Sequence, residues 1–325
     1  MRVAAIDCGT NSIRLLIADV GLDAGTLTDV VRTMTVVRLG QGVDRTGEFA
    51  AEALERTFAA TDLYAAQCRE HGVEAIRFVA TSATRDARNR DVFLSGIEER
   101  LGVTPEVISG AEEAALSFRG ATGALDAAHD APFLVVDLGG GSTEVVLGTD
   151  RPEFAHSMDV GCVRMTERHL AGDPPSAAQV ADAERDVHDA IDLALAGVPV
   201  ERTATLVGLA GSITTVTAHA LGLPEYDRAA INGAVIDIDD AIRACDELLA
   251  SSRAERAALG FMHPGRVDVI GAGALVWKTV MQRVRAAVVD AGGHLPHVVT
   301  SEHDILDGIA FSAAERAAER APEER

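Results

Sequence analysis

Two segments pair an acid with a run of small residues at the same spacing: Asp7-Cys-Gly9-Thr10-Asn11-Ser12 and Asp137-Leu-Gly139-Gly140-Gly141-Ser142. An apolar run precedes each acid and another follows each serine, so Val3 to Ile17 matches Phe133 to Leu147 with Asp, Gly and Ser in register. Each copy reads as strand, tight turn, strand, which is a β-hairpin made twice. A turn of small residues brings backbone N–H groups close to phosphate oxygens, while its carboxylate, Asp7 or Asp137, faces a metal ion or water. Asp-Gly and Gly-Gly also make good hairpin turns with no ligand at all. Two copies in register, each with the additional serine, favour phosphate binding by Gly9, Thr10, Asn11 and Ser12 and by Gly139, Gly140, Gly141 and Ser142.

Three other segments carry related chemistry. Thr205-Leu-Val-Gly208-Leu-Ala-Gly211-Ser212-Ile turns from an apolar strand into a helix, so amides at the helix start point at an anion, with Gly211 in the turn and Ser212 as cap or ligand. Ala80 to Arg90 follows a strand and reads as a loop dense in hydroxyls and guanidiniums, where Arg85 is the best anion ligand unless it pairs with Asp86 or Asp91. Ile108-Ser-Gly-Ala-Glu112-Glu113-Ala leads a helix, and one carboxylate of the pair is placed to activate water if it points into a cleft. Gly271-Ala-Gly273 lacks the third glycine of a dinucleotide turn, there is no P-loop, and His263 beside Pro264 reads as a turn residue.

The elements that must position these residues are those of an α/β protein. The chain has 325 residues, 47% of them hydrophobic but only 4% aromatic, which suits helices on sheets and two domains. Helices are predicted over residues 50–71, 91–101, 112–119, 177–196, 213–220, 238–249, 254–259 and 273–287, with strands at 75–80, 106–108, 205–209 and 297–300. The domains are expected at 1–125 and 126–325, joined through the loop-like stretch 121–132. The helix near 305–325 is expected to end in frayed, charged sequence and to pack back on the first domain or on another subunit.

A net charge of −21 argues against nucleic-acid binding. Lys278 is the only lysine among 29 basic residues, so guanidiniums, amides and helix starts must make the anion contacts. No secretory signal and no membrane-spanning run is visible, so the expected location is the cytoplasm, without membrane contact. Cys8, Cys68, Cys162 and Cys245 have no ligand spacing and read as buried free thiols.

Taken in order, Asp7-x-Gly9-Thr-Asn-Ser12, Ala80-Thr-Ser-Ala-Thr-Arg85-x-Ala-x-Asn89, Ile108-Ser-Gly-Ala-Glu-Glu113-Ala, Asp137-x-Gly-Gly-Gly-Ser-Thr-Glu144 and Gly208-Leu-Ala-Gly-Ser212 resemble the exopolyphosphatase / guanosine pentaphosphate phosphohydrolase (Ppx/GppA) family. The resemblance covers residues 1 to 310, and Pro264-Gly-Arg266-Val-Asp268 looks actinobacterial. It implies two ribonuclease-H-like domains of the actin/Hsp70/sugar-kinase superfamily around a central cleft. It also implies Mg2+ (or Mn2+)-dependent hydrolysis of terminal phosphoanhydrides without a phosphoenzyme. By motif, Glu113 takes the place of the catalytic base and Glu144 of a second essential acid. Asp137, Gly139 and Ser142 match residues that bind metal and phosphate, with the metal near Asp137 and Glu144. Arg85 matches a phosphate-contacting arginine.

The chain is shorter than the longer family members, which points to short chains or to guanosine pentaphosphate as substrate. The expected substrate is inorganic polyphosphate, with guanosine pentaphosphate as the alternative and guanosine alarmones as candidate regulators. A superfamily kinase and a non-catalytic polyphosphate or alarmone sensor are the other readings. A homodimer is the favoured assembly.

Overall fold

The computed structural model describes residues 1–125 and 129–320. In chain order the elements are β1 (Arg2–Cys8), β2 (Ser12–Gly21), β3 (Thr26–Val36), α1 (Val43–Thr46), α2 (Ala51–Glu70), β4 (Ala75–Ala80), α3 (Ser82–Asp86), α4 (Arg90–Leu101), β5 (Glu106–Val107) and α5 (Gly110–Thr122). Then follow β6 (Phe133–Leu138), β7 (Thr143–Gly148), β8 (Pro152–Met158), α6 (Cys162–Arg168), α7 (Ala177–Leu195), β9 (Thr205–Leu209), α8 (Ala210–Ala220), α9 (Arg228–Ile231), β10 (Val235–Asp237), α10 (Ile238–Ala250), α11 (Arg253–Ala258), α12 (Ile270–Asp290), β11 (His297–Thr300) and α13 (Ile305–Arg320). One compact unit comprises Met1–Gly120 with the chain from Ile305 onward, and the other comprises Ala121–Asp304. The expected boundary at 125/126 borders residues 126–128, which lie outside the described residues, as does the charged tail 321–325.

The first unit holds a five-stranded sheet in the order β3-β2-β1-β4-β5, antiparallel through β1, β2 and β3 and parallel from β1 through β4 to β5. Period-two alternation decides which side chains meet which layer. Ala4, Ile6 and Cys8 of β1 join Phe78, Phe93 and Tyr64 in one core. Val3 and Ala5 join Leu116, Ile309 and Ala313 in the other. Burial on both faces is why β1 reads as a continuous apolar run.

The last helix belongs to this second core. Gly308 lets α13 approach α5, since a Cβ there would lie 2.1 Å from the Leu116 carbonyl oxygen. Ion pairs also tie it down: Asp307 accepts from Arg32 at 2.7 Å, and Glu315 takes both ends of the Arg119 fork at 2.7 Å.

The second unit repeats the plan with six strands, β10-β11-β9-β6-β7-β8, where β6, β7 and β8 are antiparallel and β9 and β11 continue parallel to β6. Both units thus carry a hairpin-led sheet of the same strand order, the arrangement of a ribonuclease-H-like fold. Edge strands β3 and β8 escape sequence reading because they are largely half-exposed and polar, so they lack a sustained apolar signal. All four cysteines are buried and free. Among the described residues, no helix is long and apolar enough to cross a membrane.

In each unit the motif-bearing segments leave the carboxyl ends of parallel strands. These are the turn after β1, α3 after β4 and α5 after β5 in one unit, and the turn after β6 and α8 after β9 in the other. Open α/β sheets bind ligands at those strand ends.

Candidate active site

The two hairpin turns are built alike. Gly9 N–H donates to the Ser12 carbonyl at 3.0 Å, and Gly139 N–H donates to the Ser142 carbonyl at 3.0 Å. What faces the acid differs. Asp7 lies opposite Arg14 across its hairpin, and the Arg14 Nη2 and Nε reach Asp7 Oδ2 at 2.7 and 2.9 Å. Asp137 lies opposite Glu144, and both are buried. Like charges directly opposite one another on a sheet repel, and a cation between them or a shared proton relieves the repulsion. Glu144 Oε1 accepts from Ser157 Oγ at 2.7 Å, which fixes the side chain from β8.

Among the described residues, no group of three or more His, Cys, Asp or Glu side chains is arranged to hold a metal. A magnesium-type ion in a phosphate site takes one or two carboxylates and completes its shell with water and phosphate oxygens, a demand that Asp137 and Glu144 fit. Asp7 carries the Arg14 guanidinium on one carboxylate oxygen, Oδ2.

The first turn is clasped by the segment that follows β3. Asn11 O accepts from Val37 and Arg38 N–H at 3.1 and 2.8 Å, and Thr10 O accepts from Gly40 N–H at 2.8 Å. Arg38 holds a left-handed φ of 51°, a conformation a non-glycine residue adopts only when its surroundings impose it. No spacing in the sequence marked Arg38.

Arg85 lies in the one-turn helix α3 and not in the loop expected over 80–90. Thr81 N–H donates to Cys8 O at 3.2 Å, docking this segment beside the first turn. The Arg85 partner is neither Asp86 nor Asp91: its Nη1 donates to Glu113 Oε2 at 2.7 Å and to Ile108 O at 3.0 Å. Glu113 is 8% exposed in the first turn of α5. Its neighbour Glu112 points elsewhere, to Arg77 Nη2 at 2.5 Å, as consecutive helical positions must diverge. The acidic pair is thereby split into a structural carboxylate and a buried one held beside a guanidinium.

In the second unit the start of α6 binds the carbonyl edge of the glycine turn. Cys162 N–H donates to Gly139 O at 3.0 Å, Val163 and Arg164 N–H donate to Gly140 O at 2.8 and 3.1 Å, and Arg164 Nε donates to Gly141 O at 2.7 Å. The approach requires Gly161, where a Cβ would lie 2.5 Å from the Gly140 carbonyl.

Ser212 is not the cap of α8: the helix begins at Ala210, Leu209 occupies the cap position, and Ser212 is buried in the first turn. Ala210 takes a left-handed φ of 69°, the second such non-glycine residue beside a phosphate-type turn. Against Gly211 lies the Arg266 guanidinium, 2.5 Å from where a Cβ would stand, with Nη1 donating to Thr215 Oγ1 at 3.2 Å. Sequence reasoning quoted Arg266 in a motif but gave it no site role, because 55 residues separate it from Gly211. Tyr226 closes the same corner through Thr214 Oγ1 at 2.9 Å and Glu302, and burial together with Glu302 pushes its phenol up to about 12. His263 is a turn residue, accepting from Gly265 N–H at Nδ1.

Each unit carries a phosphate-type turn, with a buried carboxylate on an arginine in the first unit and a pair of opposed buried carboxylates in the second, groups suited to phosphate hydrolysis. Consistent with that, the chain belongs to the Ppx/GppA phosphatase family, whose model matches residues 17–293. Exopolyphosphatase 2 of Mycobacterium tuberculosis is 52% identical over 320 residues, covering 96% of this chain and 98% of that protein. A crystal structure of an exopolyphosphatase-like protein superposes with a TM-score of 0.94 at 48% identity, covering 98% of this chain and all of the other. An exopolyphosphatase from Cytophaga hutchinsonii superposes with a TM-score of 0.83 at 25% identity, covering 97% and 98% of the two chains. Guanosine-5'-triphosphate,3'-diphosphate pyrophosphatase of Pseudoalteromonas atlantica is 37% identical over 192 residues, covering 58% of this chain and 37% of that protein.

Proposed function

We propose that this protein is an exopolyphosphatase, hydrolysing the terminal phosphoanhydride of inorganic polyphosphate and releasing orthophosphate. The observation that carries the reading is Glu113, buried and held on Arg85 at 2.7 Å at the carboxyl end of the sheet whose first turn carries the small residues. The near full-length likeness to the mycobacterial exopolyphosphatase supports polyphosphate as the substrate. The likeness to the pyrophosphatase acting on guanosine-5'-triphosphate,3'-diphosphate covers little more than half of this chain and makes guanosine pentaphosphate the second reading.

Glu113 takes the proton of the attacking water, and Arg85, already oriented by Ile108 O, holds the carboxylate and a phosphate oxygen. The amides around Gly9 to Ser12, Gly139 to Ser142 and Gly211 to Ser212 hold phosphate oxygens, and Arg266 adds positive charge beside the last of these. Asp137 and Glu144 are the residues that would hold a Mg2+ or Mn2+ ion. Such an ion, when bound, neutralises phosphate oxygens and lowers the barrier to attack by an anionic nucleophile. The same reading makes the protein a cytoplasmic homodimer regulated by guanosine alarmones, with no nucleic-acid partner.

The test is phosphate release from short polyphosphate, long polyphosphate, guanosine pentaphosphate and ATP, with the wild type and Glu113→Gln. Loss of a general base predicts a fall in turnover of roughly 10²- to 10⁴-fold with little change in substrate affinity. Glu113→Gln turning over at the wild-type rate would remove Glu113 from the reaction. Release from guanosine pentaphosphate alone would establish the second reading, and binding without release would leave a sensor.

A further inference from the structure

The second unit contains a cavity of about 350 Å³ that none of the phosphate-type turns lines. It lies among the end of α6, the loop to Pro175, the start of α11 and the first turn of α12. Its buried charge is Arg256, which is 6% exposed. The Arg256 guanidinium makes a single long bond, Nη2 to Asp173 Oδ1 at 3.3 Å, and among the described residues its Nε has no hydrogen-bond partner. A buried guanidinium carries five donors and is normally matched more fully than this. A brace between α11 and Asp173 alone leaves most of that capacity unused.

The charge around it is mixed. Arg253 also lines the cavity, donating from its backbone N–H to Asp173 Oδ1 and from Nε to Asp268 Oδ1, both at 2.6 Å. Glu167 adds a third carboxylate. A bare anion would meet three carboxylates here, and a bare cation would meet two guanidiniums. A ligand carrying both charges satisfies both sets, and the wall formed by Leu170, Pro175 and Ala272 accepts an apolar side chain.

We propose that this cavity binds a small zwitterion of the α-amino-acid type, its carboxylate on Arg256 and its ammonium among the acids. The site is coupled to the phosphate-type turns by the helices that form it. The start of α6 holds the carbonyls of Gly139 to Gly141, while its last residues line the cavity. Gly271 and Ala272 of α12 line the cavity, and Gly273 packs directly on Ser212. An occupant that fixes these two helices also fixes both turns.

Calorimetry on the full chain tests the site, with L-valine as the probe, isovalerate lacking the ammonium and isobutylamine lacking the carboxylate. Valine is expected to bind saturably, and each half-ligand at least about tenfold more weakly, the worth of one charge-assisted hydrogen-bonded group. Arg256→Gln is expected to weaken valine by a similar factor. Should that variant fold poorly, Ala171→Trp, a change at an exposed lining residue, blocks the mouth and is expected to abolish binding without disturbing the core.

No saturable heat with valine on the folded wild type overturns the proposal, and so does valine binding that survives Ala171→Trp. Isovalerate binding as tightly as valine overturns the zwitterion and leaves an anion site. Amide hydrogen exchange reads the coupling: valine is expected to slow exchange across Gly139 to Ser142, and unchanged exchange refutes the link. None of these readouts depends on polyphosphate hydrolysis, so the site and the proposed activity stand or fall separately.

Discussion

Replacing Gly161 with alanine adds one methyl group at the closest backbone approach in the glycine turn. The backbone there is extended, with φ −146° and ψ 167°, so alanine carries no conformational penalty and the effect is purely steric. The new Cβ would stand 2.5 Å from the carbonyl carbon and oxygen of Gly140 and 2.7 Å from the carbonyl carbon of Gly141. These are backbone atoms that cannot rotate away, and restoring ordinary contact requires a displacement of about 1 Å. The displacement stretches the three hydrogen bonds from the start of α6 to Gly139 and Gly140.

Overpacking of this kind costs about 1 to 3 kcal/mol. At roughly 2 to 4 °C per kcal/mol for a unit of this size, the melting temperature should fall by about 2 to 12 °C. A misplacement near 1 Å in a positioning element can reduce turnover on the order of 10²-fold. Thermal melts and phosphate release from polyphosphate, measured on the same preparation, are the assays. A variant with unchanged melting temperature and unchanged turnover would refute the claim that α6 sets the geometry of the turn.

Gly273→Ala is expected to act in the same way on the other turn, because its Cβ would lie 2.3 Å from Ser212 Oγ, and the double variant with Ser212→Gly should recover most of the lost stability. A double variant no more stable than Gly273→Ala would place the clash elsewhere. Arg85→Lys keeps the charge and one nitrogen for Ile108 O and Glu113, which Nη1 alone serves, but loses the Nε and Nη2 donors left for a phosphate oxygen, so KM for polyphosphate should rise by roughly tenfold, and an unchanged KM would take Arg85 out of substrate binding.

Burial, reinforced by Arg266, lowers the His263 pKa from 6.5, so folding favours the neutral ring, whose Nδ1 accepts from Gly265 N–H. The unfolded chain then binds more protons than the folded one as pH drops below 6.5, and stability falls through that window. His263→Asn keeps an acceptor for the turn without titrating, and its melting temperature should change less than the wild type's between about pH 7.5 and 5.5. Equal pH dependence in the two proteins would assign the acid sensitivity to other groups.

The sequence by itself determined both hairpins, the strands that lead into α8 and β11 and most of the long helices, because alternation, turn composition and helical periodicity are local properties. It also placed Glu113 at the start of a helix and the small residues of three turns, two of them with their acids. Spacing alone did not separate Glu112 from Glu113, and only the family resemblance singled out Glu113; adjacent helical positions diverge, and the packing of α5 decides which carboxylate meets Arg85 and which meets Arg77. Nor did spacing show what faces each turn acid, which the register decides by setting Asp7 against Arg14 and Asp137 against Glu144.

Gly161, Arg266 and Arg256 act on residues far away in the chain, through a backbone approach, a guanidinium laid on a glycine and a charge buried beneath a helix start. Contacts of that kind depend on how layers pack, which no spacing along the chain records. Local chemistry wrote the phosphate-type turns into the sequence, and tertiary packing decided which charges stand beside them.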